Sequence, residues 1–303
     1  MSNIRKIAWV AGSGSLFAGL VYWWAQFVEP YWLEQTTPEI FCPRLPSELD
    51  GLRILFLADT HVQTWTRRED RLLELLKHDL RQRPDIIVWG GDFLYYFGDT
   101  EKSLRLVTAV HDIFPDVPTF GILGNAEHKG TRQETARFVQ RLEAAGVRML
   151  NNASDGLTLR GVPITIAGVD DPYYGFDDLC MALRDVPDDR FTILLAHSPQ
   201  IVYRAAKAGV DLMLSGHTHG GQVRLPFLGA LKAQNPLGTK LDQGLFERDR
   251  LRPILAGRDV PACFRLYITR GIGVAPTWRL FWLRPRLLCR PEVTFLSLHC
   301  PPD

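Results

Sequence analysis

Short apolar runs that end in polar side chains alternate along the chain with segments of helical periodicity. Residues 52–58, LRILFLA, form a nearly continuous apolar run, which indicates a buried strand. The spacing of Leu72, Leu76 and Leu80 predicts an amphipathic helix over 67–83, which Pro84 ends. The other runs predict strands over 85–89, 119–123, 191–196, 212–215, 266–269 and 293–298, helices over 102–114, 131–145 and 199–208, and a hairpin over 156–168.

This alternation of strands and helices favours an α/β domain, and the hairpin favours mixed rather than purely parallel sheets. Residues 226–261 lack clear periodicity and are punctuated by glycines, so we expect a long flap over a site there. Residues 29–50 are rich in proline and acidic side chains and are predicted to be a linker. The catalytic domain is then expected over 51–303.

An uncharged apolar stretch lies near the N-terminus. Residues 7–28 carry no charged side chain, and a helix of this length, at about 1.5 Å per residue, spans the apolar layer of a membrane, which is about 30 Å thick. Trp23 and Trp24 stand near one end, as interfacial aromatic residues do. We therefore predict one uncleaved transmembrane anchor over 1–28. A cleaved signal peptide is one alternative, and the Gly-Ser tract in the run leaves a shallow or re-entrant anchor as another.

Two further features bear on the membrane. Arg5 and Lys6 precede the anchor and acidic residues follow it, so the positive-inside rule would send the domain across the membrane. Two basic residues determine the orientation only weakly, so the side of the membrane on which the catalytic domain lies stays open. Residues 278–290, WRLFWLRPRLLCR, mix aromatic side chains with arginines, which fits either a membrane-facing patch or a core strand followed by a solvated loop.

The composition is that of a globular protein, with 46% hydrophobic and 23% charged residues among 303. A formal charge of +1 provides no basic excess, which argues against a nucleic-acid partner. The five cysteines are scattered and form no CxxC pair, so a disulfide framework or a zinc knuckle is not expected.

Histidine, aspartate and asparagine recur directly after predicted strands. The motifs are ADTH at 58–61, GGD at 90–92, GN at 124–125, AHSP at 196–199 and GHTHGG at 216–221. Each motif alone is weak evidence for a metal site, because a strand-end Asp often caps a helix and a lone His is often an ordinary polar group. Together they bring seven possible ligands to the carboxyl ends of strands, where α/β sheets bind ligands. These donors suit Mn, Fe or Zn, and seven of them predict two divalent ions sharing a carboxylate, an arrangement used for in-line attack on phosphorus.

The order D-x-H, GGD, GN, lone His and GHTH, over about residues 51–300, resembles the calcineurin-like metallophosphoesterase superfamily. GHTHGGQVRLP, LYITRGIG and RPEVTFLSL further resemble a bacterial branch of membrane-anchored phosphoesterases, which includes UDP-2,3-diacylglucosamine pyrophosphatases of lipid A synthesis. The resemblance implies an α/β fold of four layers, with two mixed β-sheets flanked by helices. It also implies a hydrolase of phosphoester or pyrophosphate bonds, located at the bacterial inner membrane.

Position by position, the resemblance implies two metal sites that share one catalytic carboxylate. Asp59, His61 and His219 would bind the first ion, Asn125, His197 and His217 the second, and Asp92 would bridge both. A hydroxide held between the cations would attack phosphorus, and the cations would stabilise the charge of the transition state. The resemblance leaves the identity of the two ions open among Mn, Fe and Zn.

The loop after the GN motif departs from the superfamily pattern. In most members a histidine follows the asparagine directly, but here Ala126 takes that place and His128 comes two residues later. His128 becomes a candidate catalytic residue if a turn brings its imidazole to the missing position. Alternatively, a pyrophosphate substrate needs less help, because its leaving group already carries charge on phosphate. An inactive copy is the third interpretation, and the intact ligand set argues against it.

Three functions are compatible with these patterns. The first is cleavage of UDP-2,3-diacylglucosamine, a nucleotide-linked lipid, to UMP and lipid phosphate. The second is a membrane-anchored phosphodiesterase or phosphatase of another phosphate-containing substrate. The third is a non-catalytic metal-binding scaffold. No protein partner is predicted.

Several side chains near these motifs have two interpretations. Asp170 and Asp171 either orient a ligand histidine or belong to a plain turn. Lys240 and Arg270 either contact phosphate oxygens or are ordinary surface or structural charges.

Overall fold

A computed structural model describes residues 3–78, 83–95, 100–275 and 283–302 of the protein, and the side chains of 3–14 are not part of that description. The strands are β1 (Glu34–Thr36), β2 (Glu39–Phe41), β3 (Leu52–Leu57), β4 (Ile86–Trp89), β5 (Thr119–Gly121), β6 (Arg148–Met149), β7 (Ala153–Leu159), β8 (Val162–Gly168), β9 (Thr192–Leu195), β10 (Leu212–Ser215), β11 (Arg224–Leu225), β12 (Gly229–Ala230), β13 (Gly244–Phe246), β14 (Arg265–Ile268) and β15 (Glu292–His299). The helices are α1 (Asn3–Phe27), α2 (Arg67–His78), α3 (Thr100–Ile113), α4 (Arg132–Ala144), α5 (Leu179–Ala182), α6 (Val202–Lys207) and α7 (Arg248–Ile254).

Two mixed sheets form the centre of the fold. The first has the order β1-β15-β3-β4-β5-β6, and β2 also pairs with β15. Its strands β3 to β6 run parallel, whereas β15 is antiparallel to β3. The second has the order β13-β14-β10-β9-β8-β7, with β8, β9, β10 and β14 parallel and both edge strands antiparallel. The parallel strands of each sheet therefore end on a common edge.

The apolar run of β3 explains the layering, because both of its faces are buried. Ile54 and Phe56 belong to the core that also contains Ile193 of β9, between the two sheets. Leu55 and Leu57 belong to the core that contains side chains of α2, α3 and α4. A third core joins the outer face of the second sheet to α6 and α7. The α/β fold with two mixed sheets flanked by helices is confirmed.

Two segments differ from the predictions. The segment 29–50, predicted as a linker, contributes β1 and β2, which pair with β15. These strands have three residues each and little apolar content, so no periodicity identified them. Within 226–261, β13 joins β14 and α7 buries Leu251, so this segment is not one continuous flap.

The N-terminal segment forms α1, as the apolar run suggested. Within the part of the chain whose side chains are described, no helix is both long and apolar enough to cross a membrane. The anchor predicted over 1–28 is not confirmed, and the side chains of 1–14 lie outside the description. Residues 278–282 of the patch predicted over 278–290 also lie outside the described residues. The rest of that patch runs beside the end of α1, where the Arg286 amide donates to the Ala25 carbonyl at 2.9 Å.

Candidate metal centre

The ligand motifs meet where the carboxyl ends of β3, β4 and β5 face those of β9 and β10. Hydrogen bonds join the sheets there. His197 Nδ1 lies 2.8 Å from the carbonyl oxygen of Gly90. The backbone amide of His217 donates to both carboxylate oxygens of Asp59, at 3.1 and 3.0 Å. Residues far apart in the chain are therefore held around one point.

Six of the seven predicted ligands form two buried groups, Asp59 with His61 and His219, and Asp92 with His197 and His217. In each group the donor atoms lie within 4.8 Å of one another. Asp92 Oδ2 lies 3.4 Å from His61 Nε2 and 3.3 Å from His197 Nε2, one imidazole of each group. The carboxylate of Asp92 is therefore positioned to be shared by both groups.

The seventh predicted ligand, Asn125, follows β5 and is also buried. Its Oδ1 and His217 Nε2 are buried without a hydrogen-bond partner among the described residues. Buried polar atoms are rarely left unpaired, because losing water without a replacement partner is costly. Both atoms are lone-pair donors of the kind that a divalent cation accepts, so the residues fit a metal site.

Three of the four candidate histidines are prepared as neutral ligands. The carbonyl oxygen of Leu94 lies 2.9 Å from Nδ1 of His61, which places the proton on Nδ1 and leaves the Nε2 lone pair for a cation. Burial lowers the pKa of His61 to about 4 and that of His217 to about 3. Burial also lowers the pKa of His219 well below its ordinary value. These three imidazoles can therefore bind a cation without first losing a proton.

The pKa values of the two carboxylates and of His197 shift in different directions. Burial raises the pKa of Asp59 to about 7. Asp92 is also buried, but His197 and His61 outweigh that burial and hold its pKa well below the usual range. Burial opposes the charging of His197, yet Asp92 and Asp59 raise its pKa to about 10. Negative charge therefore concentrates at Asp92, which suits the position between two cations.

Five of the candidate ligands share an unusual backbone conformation. Asp59, His61, Asp92, His217 and His219 all have positive φ, between 43° and 67°. Residues other than glycine adopt this left-handed backbone conformation at a cost of about 1 kcal/mol or more. Residues held in it cluster at functional sites. The sharp turns after the strands therefore aim five ligands into one space.

Glu127 holds the loop around the centre together, a role that sequence reasoning missed. Its buried carboxylate accepts hydrogen bonds from the backbone amides of Asp92 at 3.1 Å, Leu94 at 3.0 Å and Gly124 at 2.8 Å. These amides follow β4 and β5, so one side chain ties together the turns that carry Asp92 and Asn125. The only sequence signal was an acidic residue two places after the GN motif.

Glu127→Ala is expected to lower the free energy of unfolding by about 3 kcal/mol, since three buried amides lose their acceptor at about 1 kcal/mol each. Urea unfolding followed by circular dichroism measures the change. Glu143→Ala, at an exposed glutamate of α4, is the matched control and should change stability by less than about 0.5 kcal/mol. Equal losses in both variants would contradict the positioning role.

His128 lies at the far end of an aromatic row from the metal ligands. Its Nε2 is 2.6 Å from Asp170 Oδ1, and its ring is 4.7 Å from that of Phe176. The row continues through Tyr174 to Tyr173, whose ring is 4.8 Å from that of the ligand His217. Burial opposes protonation of His128, but the hydrogen bond and the charge of Asp170 outweigh it and raise its pKa. The catalytic role of His128 stays a prediction.

Asp170 therefore pairs with His128 rather than with a ligand histidine. Asp171 accepts from the amides of Tyr173 and Tyr174, at 3.1 and 3.0 Å, as in a plain turn. Arg270 is a structural charge, since it pairs with Glu292 at 2.8 Å and with Glu34. Lys240 is exposed to solvent.

Arg286 is a further residue that sequence reasoning missed. Its guanidinium is fully buried and donates to the carbonyl oxygens of Gly273 at 2.6 Å and Arg270 at 2.8 Å. Its Nη2 also lies 3.4 Å from Nδ1 of the ligand His219. An arginine within an apolar stretch gave no sign of this position.

Comparisons with known proteins agree with this geometry. The calcineurin-like phosphoesterase family matches residues 52–221, more than half of the chain. The chain is 29% identical to the Bacillus subtilis "Uncharacterized metallophosphoesterase YkuE", over 94% of this chain and 92% of that protein. It is 28% identical to the Escherichia coli "Phosphodiesterase YaeI", over 90% of each. It is 24% identical to the Chlamydia trachomatis "UDP-2,3-diacylglucosamine pyrophosphatase LpxG", over 93% and 94%.

The family match covers β3 to β10 and all seven predicted ligands. Members of this family are hydrolases of phosphoesters that use two divalent cations, which is what the two facing groups of buried ligands require. The chain therefore belongs to the calcineurin-like phosphoesterase family.

Proposed function

We propose that the protein hydrolyses a phosphodiester or pyrophosphate bond, and that its substrate is UDP-2,3-diacylglucosamine. The observation that carries the hydrolytic reaction is the pair of buried candidate ligand groups, Asp59 with His61 and His219 and Asp92 with His197 and His217. The unpartnered Oδ1 of Asn125 and Nε2 of His217 support it. Asp59, His61 and His219 would hold one cation, the other three residues the second, and Asp92 both. Bound cations supply Lewis acidity toward phosphate oxygens and lower the pKa of nearby water.

The substrate rests on two supports. A relative named as a UDP-2,3-diacylglucosamine pyrophosphatase matches nearly the whole chain, although at 24% identity. Beside the ligand His217, the rings of Tyr173, Tyr174 and Phe176 are each about half exposed, at 47%, 46% and 48%. Such a row offers a stacking surface for a planar base such as uracil.

The test uses the full chain loaded with manganese and two substrates, UDP-2,3-diacylglucosamine and bis(p-nitrophenyl) phosphate. Release of UMP at a rate far above that of p-nitrophenol is the expected result. Cleavage of the synthetic diester alone would overturn the lipid substrate and favour a phosphodiesterase of another substrate, in keeping with the name of the Escherichia coli relative. If neither substrate is cleaved while two ions are bound, the hydrolytic function is overturned, and the non-catalytic metal-binding scaffold is the interpretation that remains.

We further propose that residues 1–28 hold the protein at a bacterial inner membrane. The support is the uncharged run over 7–28 and the exposed Trp23 and Phe27 near its end, at 54% and 51%. Extraction of the membrane fraction with carbonate tests this, because an anchored chain stays in the pellet.

His128 is proposed as the proton donor to the leaving group, in place of the imidazole absent at Ala126. Its ion pair with Asp170 raises the pKa of the ring and so favours the protonated form that a general acid requires. Asp171 and Glu127 add to that effect by their charge. The proton would pass to the leaving oxygen as its bond to phosphorus breaks.

His128→Gln is expected to lower kcat about 10²-fold on an alkyl phosphodiester, whose leaving group needs a proton, and less than about threefold on bis(p-nitrophenyl) phosphate. The wild-type rate on the alkyl diester should fall as rising pH removes the proton from His128, above the usual histidine range because its pKa is raised. The variant should lack this decline. His299→Gln, which breaks another His–Asp pair far from the centre, is the control and should change neither rate. Equal losses on both diesters would contradict proton donation.

A further inference from the structure

A hairpin beside the metal centre carries large apolar side chains into solvent. Strands β11 and β12 pair antiparallel, and the turn between them holds Pro226, Phe227 and Leu228. The side chain of Phe227 is fully exposed, and those of Leu228 and Leu231 are 76% and 56% exposed. Contiguous apolar side chains in solvent mark an interaction surface. We name residues 223–231 the apolar hairpin.

The apolar hairpin is fixed to the metal centre. It starts two residues after the turn His219–Gly221, which carries a ligand. Arg224 Nη1 donates to the Gly220 carbonyl at 2.8 Å and pairs with Asp242 at 2.5 Å. The base closes through the Leu231 amide, which donates to the Val223 carbonyl at 3.1 Å. A surface that binds Phe227 is therefore held at a fixed position relative to the candidate metal ligands.

Two neighbouring segments continue this apolar surface. The Arg224 amide donates to the Leu287 carbonyl and the Leu287 amide to the Gln222 carbonyl, both at 2.9 Å. Leu288, next in the chain, is 58% exposed. The same segment contacts the end of α1 at Ala25, where Trp23 and Phe27 are also exposed.

The charges around this surface point to its occupant. Residues 223–241 contain no Asp or Glu, while Lys232 and Lys240 are exposed there. Residues 283–291 likewise contain no acidic residue, and Arg284 and Arg290 are partly exposed there. Apolar side chains flanked by cations and tryptophan suit the boundary of a bilayer that contains anionic lipids.

We propose that the apolar hairpin inserts into the surface of an anionic lipid bilayer and holds the metal centre against it. This second contact is separate from the anchor proposed over 1–28, and it holds whichever phosphoester the enzyme cleaves. It would let a lipid-borne substrate reach the centre without leaving the membrane.

The test labels the hairpin of the full chain with an environment-sensitive probe. Cys180, Cys263 and Cys300 are first changed to Ser, because they are exposed or half-buried. A nitrobenzoxadiazole probe is then attached through Phe227→Cys, or through Phe41→Cys as the matched control. Phe41 is 41% exposed and lies in β2, which pairs with β15 at the edge opposite the metal centre.

With vesicles of phosphatidylcholine and phosphatidylglycerol, the hairpin probe should brighten several-fold, shift to the blue and be quenched by nitroxide-labelled lipids. The control probe should not respond. Lys232→Glu with Lys240→Glu should weaken the response to the anionic vesicles. A hairpin probe that stays unchanged would overturn the proposal. A response that depends on protein concentration and not on lipid would also overturn it, and would assign the hairpin to contact between copies of the chain.

Discussion

Asp92→Asn is expected to lower kcat/KM on bis(p-nitrophenyl) phosphate by about 10³-fold or more, the scale of loss when a group that stabilises transition-state charge is removed. The amide has no net charge, so His61 and His197 no longer face a shared carboxylate. Its oxygen can still accept from the Ala126 amide, which donates to Asp92 Oδ1 at 2.7 Å in the native protein. The fold should therefore survive while the centre loses its bridging charge. Metal content by elemental analysis, measured together with the rate, checks the result.

The control for this substitution is Asp211→Asn. Asp211 is also fully buried, but it lies at the amino end of β10, where it accepts from the Thr192 amide at 2.8 Å and lies near Arg44. We expect it to change stability and to leave the rate per folded molecule and the metal content unchanged. If Asp92→Asn kept two ions and the native rate, the shared-carboxylate centre would be wrong.

Gly124→Ala is expected to lower the rate of bis(p-nitrophenyl) phosphate hydrolysis about 10²-fold, because a small misplacement of a catalytic group has an effect of that size. A Cβ at Gly124 would collide with Asp92 Oδ1 and lie 2.6 Å from the Asp92 amide nitrogen. The turn after β5 and the turn after β4 touch there, so the added methyl group must push the carboxylate away. We also expect manganese to raise the melting temperature less than in the native protein, because binding stabilises only the state that binds.

Gly156→Ala is the matched control, since a Cβ at Gly156 in β7 would meet nothing within 4 Å. Its rate and its response to manganese should equal those of the native protein. A native rate in Gly124→Ala would show that the contact between the two turns does not control the position of Asp92.

The sequence by itself predicted the strands that carry the ligand motifs and nominated the candidate ligands. The run LRILFLA is buried on both faces of β3, as expected for a strand covered on both sides. The ligand motifs follow these strands directly, and parallel strands end on one edge. Local order along the chain was therefore sufficient to nominate Asp59, Asp92 and His197 as members of one centre.

Tertiary structure alone decided the features that depend on distant partners. Thr36 in β1 donates to Glu292 in β15 at 2.7 Å, across almost the whole chain, and a three-residue strand leaves no periodic signal. Glu127 gained its role from amides that belong to the turns after two different strands.

The hydrogen-bond partner of His128 could likewise not be predicted from the sequence. The fold sets His128 against Asp170 and Phe176, two residues that no pattern around Ala126 indicates. The physical reason is the same in each case. Hydrophobic periodicity and motif order are local properties of a chain, whereas the partner of a polar side chain is fixed only when packing brings remote segments together.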